Sequence, residues 1–128
     1  MRTFDTFQPG QLIGSVETPV SDRDLAQWFS LFPDASDDQT SLPPGLVISM
    51  MMRGYIQILG ERPQGNVHAS QELEWLMPAP KNDPLVVTLK CVKKEQKDNR
   101  RWLWLENGVA TKTGAMCLKG TMRMLWAA

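Results

Sequence analysis

The chain has 128 residues, 42% of them hydrophobic, and its fourteen basic and fourteen acidic side chains give a formal net charge of zero. That length suits one domain with one sizeable core, and the balance of charge leaves no whole-molecule field to draw the protein to nucleic acid or to an anionic membrane. Two cysteines, Cys91 and Cys117, lie without metal-ligand spacing and with no secretory segment ahead of them, and they are expected to be reduced, buried thiols of a cytoplasmic protein.

In chain order, Gln8-Pro9-Gly10 signals a turn, and Leu12–Val20 carries enough β-branched and apolar residues for a first strand. Ser21-Asp22-Arg23-Asp24 then offers a hydroxyl cap and two acids for a first helical turn. Leu25, Trp28, Phe29 and Phe32 follow at helical spacing, so a short amphipathic helix is expected over 22–32, stopped by Pro33. Asp34 to Ser41 reads as a polar, acid-rich loop.

The stretch from Pro44 to Leu59 organises the rest. Its polar or small positions, Ser49, Arg53, Gln57 and then Gly60, step by four, four and three, which is one narrow stripe on a helix that is otherwise almost wholly apolar. Proline suits the first turn and Gly60 the left-handed position past the end. A helix of about 16 residues spans roughly 24 Å. With Arg53 in its middle it falls short of the ~20 apolar residues that cross a bilayer, so it is expected to be enclosed by the protein itself.

Four strands are expected beyond it. Over Asn66–Trp75, Val67, Ala69, Gln71, Leu73 and Trp75 alternate with Asn66, His68, Ser70, Glu72 and Glu74, a pattern with one wet face that includes His68. Leu85–Lys94 puts Leu85, Val87, Leu89 and Cys91 on one face and Val86, Thr88, Lys90 and Val92 on the other. Lys93 to Arg101 reads as a charged hairpin turn. In Arg101–Lys112, Trp102 and Trp104 oppose Leu103 and Leu105, and apolar residues on both faces imply a central position or a subunit contact. Asn107-Gly108 resembles a hairpin turn, but a turn at Thr113-Gly114 leaves two strands of similar length, so Asn107-Gly108 is read as a bulge. The last strand, Ala115–Trp126, lines up Met116, Leu118, Met122, Met124 and Trp126. The expected class is α+β, an antiparallel sheet wrapped round one helix, with the sheet's other face or edge free for a second subunit.

Phe7-Gln8-Pro9-Gly10-Gln11, Pro44-Gly45-Leu46 and the proline-marked run from Met77-Pro78 to Asp83, in this order and at this spacing, resemble the MaoC-like branch of the hot-dog proteins, which includes (R)-specific enoyl-CoA hydratases and related acyl-thioester dehydratases. The resemblance implies one hot-dog domain over residues 1–128, an acyl-CoA or acyl-carrier-protein thioester as ligand, no cofactor, a place in fatty acid metabolism, and a homodimer or a dimer of dimers. It also implies a site. The family's hydratase motif, Gly-Asp-x-Asn-Pro-x-His, places an aspartate five residues before a histidine. Here the matching segment is Pro33-Asp34-Ala35-Ser36-Asp37-Asp38-Gln39, so Asp34 matches the aspartate and Gln39 stands where the histidine would. Glutamine can hold a water by hydrogen bonds but cannot take up its proton near neutral pH, and general acid–base help is worth ~10²–10⁴-fold. The loop from Asp34 to the helix is also shorter than in typical hydratases. Gly45 matches the glycine whose N–H polarises the thioester carbonyl; read from its own position, it either does that or merely fits a tight loop-to-helix junction.

The remaining chemical groups have plain and functional readings side by side. His68 is the only histidine and the only side chain that ordinarily titrates near neutrality; its alternation places it at the surface or an interface, with a catalytic role as the rival reading. Asp34, Asp37 and Asp38 form either a solvated loop or a carboxylate cluster whose burial would raise a pKa. Arg53 reads as half of a structural ion pair with an acid of the preceding loop or of a neighbouring subunit. The methionines of 50–52 and of the last strand read as core, or as an adaptable acyl channel. Lys93, Lys94, Lys97, Arg100 and Arg101 read as a solvated hairpin or as a contact for coenzyme A phosphates. No phosphate-cradling glycine loop, zinc spacing or Gly-x-Ser-x-Gly elbow occurs. Three activities fit: hydration of a 2-enoyl thioester by Asp34 and Gly45, thioester hydrolysis by one loop carboxylate, or silent binding as a partner subunit of an active hot-dog protein.

Overall fold

A computed structural model describes residues 1–34 and 40–128. Strand β1 (Leu12–Thr18), helix α1 (Asp22–Leu31) and helix α2 (Pro44–Leu59) precede four strands, β2 (Val67–Trp75), β3 (Leu85–Lys97), β4 (Arg100–Thr111) and β5 (Met116–Leu125). The strands form one antiparallel sheet in the order β1-β3-β4-β5-β2. Helix α2 lies on its inner face.

The local chemistry of each helix sets its ends. Ser21 and Asp24 form a reciprocal capping box at α1: the Asp24 N–H donates to Ser21 Oγ at 3.1 Å and the Ser21 N–H to Asp24 Oδ2 at 3.0 Å. The backbone bond from Ser21 holds the Asp24 carboxyl below the usual carboxylate range. Pro44 opens α2, where its missing N–H costs nothing, and Gly60 closes it at a φ of +65°. Arg53 meets Asp24 of α1 at 4.0 Å with its side chain 60% exposed. The partner is therefore on the neighbouring helix rather than in the loop, and so exposed a pair stabilises little.

Burial of α2 follows its apolar positions. Leu46, Val47, Met50, Met51, Gly54, Tyr55 and Leu59 face inward, each large side chain contributing roughly 1.5–3 kcal/mol over an exposed one. Ser49, Arg53 and Gln57 form the exposed stripe. Ile56 joins them at 46% exposure, so the helix is roofed on its sheet side and left open along its back, not enclosed all round. Gly54 lets it come close. A Cβ there would lie 2.6 Å from Val87 Cβ on β3.

The sheet keeps the expected strands but moves several turns. Strands β3 and β4 run on to Lys97 and Arg100, so the charged segment is strand, and the turn is only Asp98-Asn99, both at positive φ (52° and 60°) as a tight hairpin matched to strand twist requires. Asn107 and Gly108 are not a bulge: they pair in register with Leu89 and Thr88 on one side and with Gly120 and Lys119 on the other. The irregularity falls between Val109 and Ala110, opposite Cys117, and it flips the phase of β5. Leu118, Met122, Met124 and Trp126 stay in the core, whereas Met116 turns outward at 39% exposure. The turn at Thr113-Gly114 is as expected, with Gly114 at a φ of +94° and the Thr111 N–H bonded to the Ala115 carbonyl at 2.9 Å.

Strand β2 departs most. It is exposed on both faces except at Gln71, because it is an edge strand with β5 on one side only. On β4, Leu103 and Leu105 are fully buried while Trp102 and Trp104 face out. Lys93 Nζ lies 4.5 Å from the Trp104 ring centroid and Arg123 Cζ 4.5 Å from that of Trp102, so cations of the adjacent strands cover the apolar surface that pointed to a subunit contact. Gly54→Ala gains up to ~1 kcal/mol of helix propensity but forces a methyl group against the stiff Val87 side chain, so a net destabilisation of about 1–2 kcal/mol is expected. Urea unfolding measures it, and an unchanged midpoint would show that the helix does not sit this close to β3.

Candidate functional site

At the N-terminal end of α2, two chain segments run past each other. The Leu42 N–H donates to the Ala79 carbonyl at 2.8 Å, the Lys81 N–H to the Thr40 carbonyl at 3.0 Å, and Ser41 and Pro80 form an antiparallel bridge. The Leu76 N–H reaches the Cys117 carbonyl at 2.9 Å. Pro78, Pro80 and Pro84 prevent this connection from continuing as a regular strand. The result is a cleft of about 510 Å³ between residues 41–44 and 75–79. Leu42 and Ala79 are buried in it, while Trp75, Leu76 and Met77 remain 42%, 50% and 39% exposed at its rim. A concave apolar surface with an aromatic lip is the usual form of a small-molecule site. The sequence reading missed these rim residues, although an apolar Leu76-Met77 pair ahead of a proline, at the end of a strand, was a visible signal.

Gly45 adjoins this cleft through Pro43 and Pro44. Among the described residues its N–H and that of Leu46 have no acceptor, and the first amide of α2 with a backbone partner is Val47, bonded to the Pro43 carbonyl at 3.2 Å. Free amides at a helix start carry the positive end of the helix dipole. The α-carbon of Gly45 lies against the Trp28 indole of α1: a Cβ would stand 2.7 Å from Trp28 Cζ2. The tight junction is thus real, and among the described residues it leaves the N–H without an acceptor. Trp28 stacks in turn near Phe32, with ring centroids 4.4 Å apart.

Asp34 is exposed just beyond α1. Gln39, Asp37 and Asp38 lie outside the described residues. His68 is not on the wet face of β2 as alternation suggests. A bulge between His68 and Ser70 shifts the phase, and His68 pairs opposite Met124, whose side chain is in the core. His68 therefore shares the side of the sheet that α2 covers, while remaining exposed at its margin. It borders a second cleft of about 500 Å³, with Met52, Tyr55, Arg62 and Asn66, at the C-terminal end of α2. Gly45 and Gly60 are fifteen helical steps apart, roughly 22 Å along the axis, so one subunit does not bring His68 to Gly45.

The other candidates take structural roles. Cys91 and Cys117 are free and buried, and burial pushes both thiols up, away from the reactive thiolate. Lys93 pairs with Glu95 at 3.7 Å, Lys94 lies over the Phe4 ring at 4.9 Å, and Arg101 Nη1 donates to the Ala127 carbonyl at 3.3 Å. Three of the five hairpin cations therefore have partners within the subunit. Among the described residues no group of three His, Cys, Asp or Glu side chains is placed to hold a metal ion, and no helix is long and apolar enough to cross a membrane.

No family model and no curated protein sequence matches the chain. Solved structures do. A MaoC-like dehydratase from Rhodospirillum rubrum superposes with a TM-score of 0.84 at 14% identity, covering 98% of this chain and 97% of that one. An (R)-hydratase from Pseudomonas aeruginosa gives 0.74 at 14% identity, covering 97% and 84%. A thioesterase complexed with coenzyme A and zinc from Thermus thermophilus gives 0.65 at 19% identity, covering 93% and 86%. The fold is the hot-dog fold, an α+β arrangement of a helix against a five-stranded antiparallel sheet. Its structural neighbours include MaoC-like dehydratases and (R)-hydratases as well as thioesterases.

The Trp28–Gly45 contact is testable without substrate. Gly45→Ala should destabilise the protein by about 1–3 kcal/mol through overpacking, and less in a Trp28→Ala background, where the indole is gone. A double-mutant cycle by urea unfolding should give a coupling of ~0.5–3 kcal/mol; additive effects would mean that the two residues do not touch.

Proposed function

We propose that the protein is an acyl-thioester-handling hot-dog domain, occupying residues 1–128, that catalyses reversible hydration of a 2-enoyl thioester. The observation that best supports this is the apolar cleft at the start of α2, beside free helix amides, a combination suited to an acyl group whose carbonyl needs polarising. Gly45 N–H is assigned the thioester carbonyl, which gains negative charge as water adds. Water oxygen bonds to C3, its proton passes to Asp34, and a proton returns to C2. Gln39 is assigned to orient that water by hydrogen bonds alone. The carrier is coenzyme A or an acyl carrier protein. A cytoplasmic setting goes with this reading, and the free thiols of Cys91 and Cys117 support it.

A thioesterase is the second reading, favoured by Gln39: hydrolysis needs one carboxylate to activate water and does not call on a histidine at that position. The assay separates the readings. Crotonyl-type and saturated acyl-CoA substrates are scored for hydration, hydrolysis and binding. Slow hydration that disappears in Asp34→Asn and rises in Gln39→His, by up to the ~10²–10⁴-fold that acid–base help supplies, is the expected result. Hydrolysis without hydration would favour the thioesterase, and binding without turnover a silent partner subunit. Robust hydration that survives Asp34→Asn would move the chemistry elsewhere, with His68 the next residue to replace.

The same reading includes a homodimer, alone or paired into a dimer of dimers. Support for it now comes from β2, an unprotected edge strand with Val67 and Leu73 exposed at 49% and 39%, since a bare apolar edge is a template for pairing with another copy. Sedimentation at micromolar concentration is expected to give a dimer, weakened at least tenfold by Val67→Lys with Leu73→Lys. A monomeric wild-type protein would count directly against this assembly.

A further inference from the structure

The cleft at the C-terminal end of α2 plays no part in the chemistry assigned to Asp34 and Gly45, yet it is built from groups that share one requirement. Tyr55 is 2% exposed, and among the described residues its hydroxyl has no partner in good hydrogen-bond geometry, although the Arg62 guanidinium is near enough to interact with it. Asn66 has its amide oriented by a bond from the Ala127 N–H to Oδ1 at 2.7 Å, which leaves Nδ2 as a buried donor, also without a partner. Arg62 places its guanidinium carbon 5.8 Å from the Tyr55 ring centroid. Burial pushes the Tyr55 hydroxyl up, so it stays protonated and able to donate, and Arg62 only tempers that effect. Buried donors left without an acceptor are costly in a folded protein, and a bound acceptor would satisfy both.

We propose that this cleft is an oxyanion site, taking a carboxylate or a phosphate group of a ligand on Arg62, Asn66 Nδ2 and the Tyr55 hydroxyl, with His68 at its margin. Asn66 Nδ2 and Arg62 can only donate, so the occupant must accept. Charge and geometry favour an oxyanion over a neutral carbonyl, because guanidinium pairs with the flat oxygen fork of carboxylate or phosphate. Glu61 also borders the cleft, but among the described residues no carboxylate lies within 4.0 Å of Arg62, so no contact ion pair occupies the guanidinium. Arg62 is an exposed side chain beside the Tyr55 ring, so it is free to turn from the ring toward an anion in the cleft.

The site is remote from the start of α2, so its test does not depend on whether the protein hydrates thioesters. Inorganic phosphate and sodium acetate are titrated separately into the full chain at constant ionic strength, with chloride as the reference, and the Arg62 Nε–H, Asn66 side-chain amide and His68 ring signals are followed by NMR. A saturable shift of these signals with phosphate, acetate or both is expected, and which anion binds identifies the ligand group. Arg62→Met should weaken binding at least tenfold and Tyr55→Phe severalfold. Tyr55→Phe should also leave the melting temperature unchanged or raise it, since it removes an unpaired buried hydroxyl. No saturable shift beyond chloride with either anion, or binding equally tight in both variants, overturns the proposal.

Discussion

The close seating of α2 on β3 is the constraint from which the rest of the molecule follows. Gly54 brings the helix axis down onto Val87, and only at that distance do Leu46, Val47, Met50, Met51, Tyr55 and Leu59 reach the inner faces of β3, β4 and β5. Interiors packed to crystal-like density leave little room for a helix to ride higher. Because α2 is apolar on most sides but the sheet covers only one, the remaining surface is managed locally: α1 sets Trp28 against Gly45 at the start, and the polar stripe of Ser49, Arg53 and Gln57 faces water.

Both clefts are consequences of that seating. The sheet's inner face is filled beneath the middle of α2, so space remains only where the helix begins and ends. At the start, prolines keep residues 76–84 out of the sheet and leave an apolar groove beside amides that have no acceptor among the described residues. At the end, the left-handed turn at Gly60 sends the chain away before β2 returns, and the gap is lined by Tyr55, Arg62, Asn66 and His68. The two differ in character for a physical reason. The helix presents donors at its N-terminus through its own backbone, whereas at the C-terminus, where the backbone offers only carbonyls, the donors come from side chains.

Helix α2, expected over about 16 residues and found from Pro44 to Leu59, was legible because a polar stripe at helical spacing is bounded by proline and glycine. The hydroxyl cap of α1 and the shared face of Leu85, Val87, Leu89 and Cys91 on β3 were also legible, since each depends on neighbours in sequence, and the turn at Gly114 was found by weighing strand lengths against Asn107-Gly108. The candidate site was legible only in part. Asp34 and Gly45 were singled out as candidates through motif resemblance alone, and the rim of Trp75, Leu76 and Met77 and the donors of the second cleft were not singled out, because no short spacing links residue 55 to residues 62 and 66.

What the sequence alone determined, then, is which segments are helix or strand and which are apolar enough to be buried. Tertiary structure decided which face each residue of a strand presents and which strand lies at the edge. The reason is the two-residue period of a strand: one inserted residue reverses every side chain beyond it. Bulges at His68/Ser70 and Val109/Ala110 turned His68 toward the helix side and Met116 toward solvent, and the bulge at Cys91/Lys93 pairs Lys94 with the buried Leu103 and sets its ammonium over Phe4. The pairing order, which gives β2 a partner on one side only, is set by where the chain returns after α2 and Gly60, a contact between residues far apart in sequence.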